Sequence, residues 1–460
     1  AKHFCMAEQK LQNNDGRSLN DFPEHLLLYI LSFLPTLDAI QTSLLSRKWR
    51  NLWSSMPSLN FDYALFPPSA SPNDTRRCFA DFADRTLILR SHSRLLKLRF
   101  QFDYSEYLYA SHIDSWIRYA INHNVVELDI DFYIDRGYHD ADTECYYDFH
   151  FSVVRNSCIR VLRLCRCDLI LPVNVSTMQF VSIKSMYLDQ IYLTDDMVSD
   201  LISGCLNLES LVLEYCYGIQ NLKICSAKLK ELSLWCFHSQ NEEEESLEIC
   251  ASNLISISII CFEMGKYSLK DSSSLVEAHV DFLHKKEHYK YWSKVVTLFS
   301  GVKRLTVQNW WFKFLATKDV SSERFVLNNL IHLELQTGYT KCDLLGIAAL
   351  LEISPNINTM ILDYLFKIED DESLPEELLD KPINFSLPSL EQVKMKNFRG
   401  TENESHFVIL LKKQGLGAVL EKIVVAPAKV GGTFIPPIVL RRRFQAVTVL
   451  QGSSPDSQVL

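Results

Sequence analysis

One six-residue pattern, Leu-x-x-Leu-x-Leu with other apolar residues allowed at the Leu positions, recurs along this chain and constrains its fold more than any other feature. It occurs at Leu95-Leu98-Phe100, Val125-Leu128-Ile130, Ile159-Leu162-Leu164, Ile183-Met186-Leu188, Leu208-Leu211-Leu213, Leu229-Leu232-Leu234 and Leu254-Ile257-Ile259. It continues at Leu275-Ala278-Val280, Val302-Leu305-Val307, Leu330-Leu333-Leu335, Ile357-Met360-Leu362, Leu390-Val393-Met395 and Leu420-Ile423-Val425. Start-to-start spacings run from 21 to 34 residues, mostly in the twenties. A single strand with its return segment cannot enclose its own apolar face, so each unit covers its neighbour. The expectation is an α/β solenoid with one continuous parallel sheet. The second and third apolar positions turn inward, and the residues between and beside them form the concave sheet surface.

A second stretch, residues 21–53, poses a different problem. In its first helical pattern Leu26, Leu27, Ile30, Leu31, Phe33 and Leu34 cover most of the circumference. A helix that is apolar nearly all round needs burial on more than one side, and below ~40 residues a chain seldom encloses a core unaided. Part of this surface is therefore expected to be covered by another protein. The local signals predict three short helices. Asp21 is the N-cap of the first, Pro23 sits in its first turn and Pro35 ends it at Leu34. Thr36 caps the second, through Ala39, Ile40 and Ser43, and Ser46 the third, which sets Arg47, Lys48 and Arg50 against Trp49 and Trp53.

Composition narrows the function classes. The 460 residues carry a net charge of −9, with 47% hydrophobic and 22% charged residues. That balance lacks the basic footprint of a nucleic-acid binder. No apolar run reaches the ~18 residues of a membrane helix, so neither nucleic acid nor a membrane is an expected partner. The 13 cysteines are odd in number, lack a Cys-x-x-Cys pair and sit mostly in strand-like apolar runs. They read as reduced core thiols of a nuclear or cytoplasmic protein. His284 and His288 are four apart but lack the glutamate and third ligand of a zinc site. No phosphate-cradling loop or nucleophile elbow is present, so no cofactor, metal or catalytic residue is expected.

Two resemblances add to this reading. Phe22-Pro23, the run Ile30-Leu31-Ser32-Phe33-Leu34-Pro35 and the run from Thr42 to Trp53, with Leu44, Leu45, Ser46 and Trp49, resemble the F-box of plant F-box proteins. The resemblance implies docking on a Skp-type adaptor, and through it on a cullin of a ubiquitin ligase. The implied contact residues are Phe22, Pro23, Leu26, Leu27, Ile30, Leu31, Phe33, Leu34, Pro35, Leu44, Leu45, Trp49 and Trp53. The repeats that follow resemble leucine-rich repeats, although the family's Asn or Cys after the strand appears only as Cys167 and Cys216; an irregular horseshoe is expected. Leu387-Pro388-Ser389-Leu390, the run from Asn397 to Glu404 and Val419-Leu420-Glu421-Lys422-Ile423 resemble the FBD domain. This segment reads as strand, Arg-Gly turn, helix over 407–413 and closing strand, capping the open sheet edge.

The expected organisation is a polar tail over 1–20, an F-box over 21–60 and a linker with a first helical segment over 61–94. The solenoid covers 95–386, the FBD-type cap 387–426 and a tail 427–460. Within the linker, 61–75 reads as a proline-rich loop and 75–92 as a helix burying Cys78, Phe79, Phe82, Leu87 and Leu89. The acid clusters at 131–148, 242–245 and 369–377 read as solvated loops. The function expected is that of a non-catalytic substrate receptor, the target being an unidentified protein held on the concave face. Exposed Trp, Tyr and Arg dominate binding hot spots, which singles out Arg163, Tyr187, Trp235 and Arg304. A small-molecule sensor and a non-degradative assembly scaffold are the alternatives.

Overall fold

The computed structural model describes residues 19–91, 93–104, 107–132, 145–174, 179–235, 246–260, 266–281, 298–308, 326–364, 382–385, 389–415, 422–427 and 447–449. The chain divides into two compact units, Ala1–Tyr217 and Gly218–Leu460. The first contains β1 (Ser58–Asp62), β2 (Lys97–Gln101), β3 (Glu127–Asp131), β4 (Asp148–His150), β5 (Val161–Cys165), β6 (Asp168–Ile170), β7 (Ser185–Asp189) and β8 (Ser210–Glu214). Its principal sheet is parallel and runs β1-β2-β3-β5-β7-β8, while β4 and β6 pair separately.

The second unit contains β9 (Asn221–Cys225), β10 (Glu231–Trp235), β11 (Ser246–Cys250), β12 (Ser256–Ile260), β13 (Lys266–Lys270), β14 (Glu277–Asp281) and β15 (Arg304–Gln308). It ends with β16 (His332–Thr337), β17 (Thr359–Tyr364), β18 (Gln392–Phe398), β19 (Lys422–Pro427) and β20 (Val447–Val449). Its principal sheet runs β10-β12-β14-β15-β16-β17-β18-β19-β20, and β13-β11-β9 form a second sheet.

The repeat pattern sets the register. Leu98, Leu128, Leu162, Met186 and Leu211 are successive Cα partners from β2 to β8, and none is more than 2% exposed. Leu232, Ile257, Ala278, Leu305, Leu333, Met360, Val393 and Ile423 do the same from β10 to β19. Each large aliphatic so enclosed contributes roughly 1.5–3 kcal/mol. All thirteen repeat matches contain a strand of the principal sheets, and Leu420 of the last match lies outside the described residues. Among the described residues the principal sheets hold two strands beyond these thirteen, and both fit the same pattern: Met56-Leu59-Phe61 supplies β1, and Phe444-Val447-Val449 supplies β20. The stretch read as a tail therefore contributes a strand, paired to β19 through Ile423 and Val447.

The bends after β5, β7 and β8 lack the asparagine of a regular repeat. Arg166, Gln190 and Tyr215 turn the chain there with φ of 57°, 52° and 48°. This left-handed region costs a non-glycine residue about 1 kcal/mol or more. The amides of Arg166 and Gln190 donate to the carbonyls of Asp189 and Glu214 at 2.9 Å, which carries the ladder round the corner. Cys216 lies beneath, its thiol donating to the Leu188 carbonyl at 3.4 Å.

Helices cover the buried face. Pro72–Leu89 starts ahead of the predicted 75, because Ser71 accepts the Asp74 amide at 3.2 Å and Pro72 occupies the first helical turn. Cys78 and Leu89 lie on its solvent side, not in the core as expected, whereas Phe79 and Leu87 are buried. Ala110–Asn122 packs beside it. Trp116 stacks on Phe100 at 4.4 Å and Phe100 on Phe61 at 4.8 Å, while the Trp116 indole donates to Asp84 at 2.7 Å.

In the second unit the C-terminal segment folds as strand, Arg-Gly turn, helix and strand. The helix is Glu402–Gly415, so it begins five residues before the predicted start. Its start is tied by Glu404, which is fully buried and accepts from the amides of Arg399 (3.1 Å) and Thr401 (2.7 Å) and from the Thr401 hydroxyl (2.9 Å). Asp343 does the same for the helix Lys341–Glu352, accepting from the Gly338 amide at 2.9 Å and the Thr337 hydroxyl at 3.1 Å. Glu404→Ala leaves those donors unmatched and is expected to cost about 2–3 kcal/mol, read as a lower urea midpoint in circular dichroism. The acid clusters at 242–245 and 369–377, His284, His288 and most of the tail lie outside the described residues.

Candidate docking and recognition surfaces

The N-terminal stretch forms two α-helices, not three. Glu24–Leu31 follows Pro23 at its N-cap, and Thr36–Gln41 follows Pro35. Neither Asp21 nor Thr36 caps a helix; Thr36 is buried and accepts the Asn60 amide at 2.8 Å, which ties the second helix to β1. The first helix ends at Leu31, three residues before the expected stop, and Ser32 bonds back to Tyr29. Residues 47–51 form turns, and a 3-10 turn, Leu52–Ser55, follows.

Those turns act as a clamp. The Ser46 hydroxyl and the Trp49 indole both donate to the Asn20 side chain, at 3.0 and 2.9 Å, and the Lys48 ammonium donates to the carbonyls of Asn20 and Phe22 at 2.6 and 2.7 Å. The basic, tryptophan-bearing segment thus fastens the chain ahead of the first helix.

Burial divides the apolar residues of this stretch into two sets. Leu27 and Leu31 are 0% exposed and Trp49 is 5% exposed. These three hold the helices together and present no surface in this fold. Phe22, Leu26, Ile30, Phe33 and Leu44 are 43%, 39%, 41%, 70% and 85% exposed. Pro23 is exposed as well, and Leu34, Pro35, Leu45 and Trp53 are half-buried. Tyr29, absent from the sequence-based set, is 62% exposed and meets the Phe33 ring edge-on at 4.8 Å. Leu26, Tyr29 and Ile30 share one face of the helix, and Phe22 and Phe33 flank it at either end.

On the first unit's sheet, the residues between the buried positions form an ionic lattice. Lys97 pairs with Glu127 at 2.6 Å, and Arg99 with Asp129 at 3.5 Å and Asp131 at 3.4 Å. Arg163 reaches Glu127 at 3.6 Å and lies over the Tyr187 ring at 5.5 Å, while the Tyr187 hydroxyl donates to Glu214. Burial raises the Asp129 pKa despite Arg99, Lys97 and Arg163. Asp189, which accepts the Cys165 thiol at 3.2 Å, is pushed up to about 6, first by burial and then by Glu214 and Asp131.

A carboxyl group raised in the fold stabilises least where it is ionised in both states. Its penalty is absent below the unfolded pKa near 4, grows from there to about 6 and persists above. Asp189→Asn is therefore expected to stabilise the chain by about 1–2 kcal/mol at pH 7.5, after discounting for partial exposure, and by little at pH 4. Thermal melts of both chains across that range provide the check.

In the second unit the Trp235 indole donates to the Ser258 hydroxyl at 3.3 Å, while Arg304 is exposed. Lys396 pairs with Glu334. Burial lowers the pKa of both His279 and His332.

Two comparisons with known families bear on these surfaces. The F-box domain family matches residues 19–61. The leucine-rich-repeat domain described as At1g61320/AtMIF1 matches residues 88–402, well over half of the chain. The chain belongs to the F-box/leucine-rich-repeat family. It is similar to the F-box/FBD/LRR-repeat protein At5g56420 of Arabidopsis thaliana, at 28% identity over 75% of this chain and 76% of the relative. The F-box/LRR-repeat protein At4g14096 of the same plant is 26% identical over 77% of this chain and 74% of its own length. The F-box/FBD/LRR-repeat protein At2g04230 reaches 32% over about half of each chain. F-box domains generally bind a Skp-type adaptor, and F-box/leucine-rich-repeat proteins are generally non-catalytic substrate adaptors of ubiquitin ligases.

In this F-box/leucine-rich-repeat protein, the residues singled out for target binding fall as one pair in each unit. Arg163 and Tyr187 are register partners and touch. Trp235 and Arg304 lie on β10 and β15, with β12 and β14 between them, and at opposite strand ends. Tyr29 was legible as an amphipathic aromatic at i−4 from Phe33.

Proposed function

We propose that this F-box/leucine-rich-repeat protein is the substrate-receptor subunit of a Skp-cullin-F-box ubiquitin ligase. The adaptor docks on the exposed face bearing Phe22, Leu26, Tyr29, Ile30 and Phe33, together with Leu44, and a protein target is held on the solenoid sheet. The observation that carries the reading is the exposure of large apolar side chains around a first helix whose other face is closed by its own chain. Clustered exposed apolar residues mark an interaction site. The buried trio Leu27, Leu31 and Trp49 supports that face from behind. Arg163, lying over Tyr187, is the part of the sheet best suited to target contact, since a preformed pair loses little entropy on binding. The complex would act in the nucleus or cytoplasm.

The test is purification of the full chain from plant cells with and without residues 21–53, with and without proteasome inhibition. Adaptor and cullin should co-purify only with the intact chain. Targets should accumulate on the chain lacking 21–53 and on the intact chain when the proteasome is blocked. Bound proteins indifferent to proteasome inhibition would point to a scaffold, and absence of the adaptor would reject the proposal.

A further inference from the structure

β9 and β11 are return strands of consecutive repeats and pair in parallel, with Cys225 directly opposite Cys250. Along both strands burial alternates so that Leu222, Ile224, Leu247 and Ile249 are enclosed while the cysteines lie on the other face. Cys225 is exposed and Cys250 half-buried, and no disulfide joins them. The Cα atoms of register partners on neighbouring strands lie about 4.8 Å apart, inside the 4.4–6.8 Å span of protein disulfides. Lys270, the partner of Cys250 on β13, and Lys223 both reach Glu248, at 2.7 and 3.9 Å. The pair therefore sits at an accessible surface, beside two lysines and the carboxylate they share.

We propose that Cys225 and Cys250 form a reversible redox site, oxidised by a low-molecular-weight disulfide such as glutathione disulfide to a bond that staples two successive repeats. Cys225, the more exposed, attacks one sulfur of glutathione disulfide as its thiolate, and one glutathione thiolate departs and takes up a proton. Cys250, having released its own proton, attacks the Cys225 sulfur, and the second glutathione leaves. Two protein thiols become one disulfide while one glutathione disulfide becomes two glutathione thiols, so atoms and electrons balance. The Cys250 thiol donates to Glu248 at 3.5 Å, and its pKa is pushed up to about 11, first by burial and then by Cys225 and Glu248. It suits the resolving role better than the attacking one. A disulfide at this accessible surface is open to attack by glutathione thiolate, which makes it reversible. The site stands independently of the ubiquitin-ligase reading.

The experiment uses the full chain, freed of reductant, exposed to glutathione disulfide, trapped with N-ethylmaleimide and digested for mass spectrometry. The exposed Cys78 and Cys158 report that the oxidant has acted, by carrying glutathione. The expected result is a Cys225–Cys250 cross-linked peptide pair that disappears on adding excess reduced glutathione. Cys225→Ser, at an exposed position that spares the fold, should lose the cross-link and leave Cys250 alkylated. If Cys225 and Cys250 carry separate glutathione or maleimide adducts while Cys78 and Cys158 are glutathionylated, or if either pairs with a different cysteine, the proposal is overturned.

Discussion

Phe33→Asp combined with Leu44→Asp is expected to weaken binding of a Skp-type adaptor at least ~1,000-fold while leaving the unfolding midpoint of the free chain nearly unchanged. The argument is one of exposure. Phe33 is 70% and Leu44 85% exposed, so a carboxylate at either place stays in water in the free protein. In the proposed complex the same carboxylates would be desolvated against an apolar partner, and each would replace a contact worth about 2 kcal/mol or more. Trp49→Ala is the contrasting case. Its ring is 5% exposed and its indole anchors Asn20, so that substitution lowers stability whatever the adaptor contacts. Titration calorimetry with purified adaptor, alongside thermal melts, separates the two. Unchanged affinity in the double aspartate variant would remove this face from consideration.

Trp116→Ala is expected to destabilise the first unit by about 3–5 kcal/mol, a substantial share of the stability of an ordinary domain. Its ring is 1% exposed and lies in a run of stacked aromatics with Phe100 and Phe61, with Phe102 edge-on at 5.8 Å. Truncation opens a cavity between the sheet and the two helices. It also deprives Asp84 of the indole donor, leaving it with His112 at 2.8 Å. Trp116→Phe keeps an aromatic ring and loses the N–H, and should cost about 1–2 kcal/mol. Urea unfolding of both variants tests the assignment, and equal losses would mean that the hydrogen bond, not the stacking, is the larger contribution.

The sheet was legible because its period fixes both strand and register. Leu98, Leu128, Leu162, Met186 and Leu211 were marked as inward by spacing alone, and they are consecutive partners. Met56-Leu59-Phe61 carries the same pattern, but it follows directly on the helical stretch and lies further from the next match than any repeat spacing, so the period does not mark it. The proposed docking face was less legible for a physical reason. In a helix apolar nearly all round, periodicity cannot say which side its own chain covers; tertiary packing chose Leu27 and Leu31 and left Leu26 and Ile30 outside. Trp49 looked like a contact residue because its partner Asn20 is 29 residues away. Arg166, Gln190 and Tyr215 gave no warning of left-handed backbone, since sequence reading looks for glycine or asparagine there.

The F-box match ends at residue 61, inside β1, and Phe61 stacks on Phe100 of β2. Module and repeat array therefore share a strand, where many tandem proteins have a tether. With that strand shared, the direction in which the first repeats would present a protein in the proposed complex is inherited from the angle at which the first helix is seated. In the proposed complex, lengthening the chain between Ser55 and Ser58, where the helical stretch enters β1, would be felt as lost aim even with every apolar side chain of the exposed face intact.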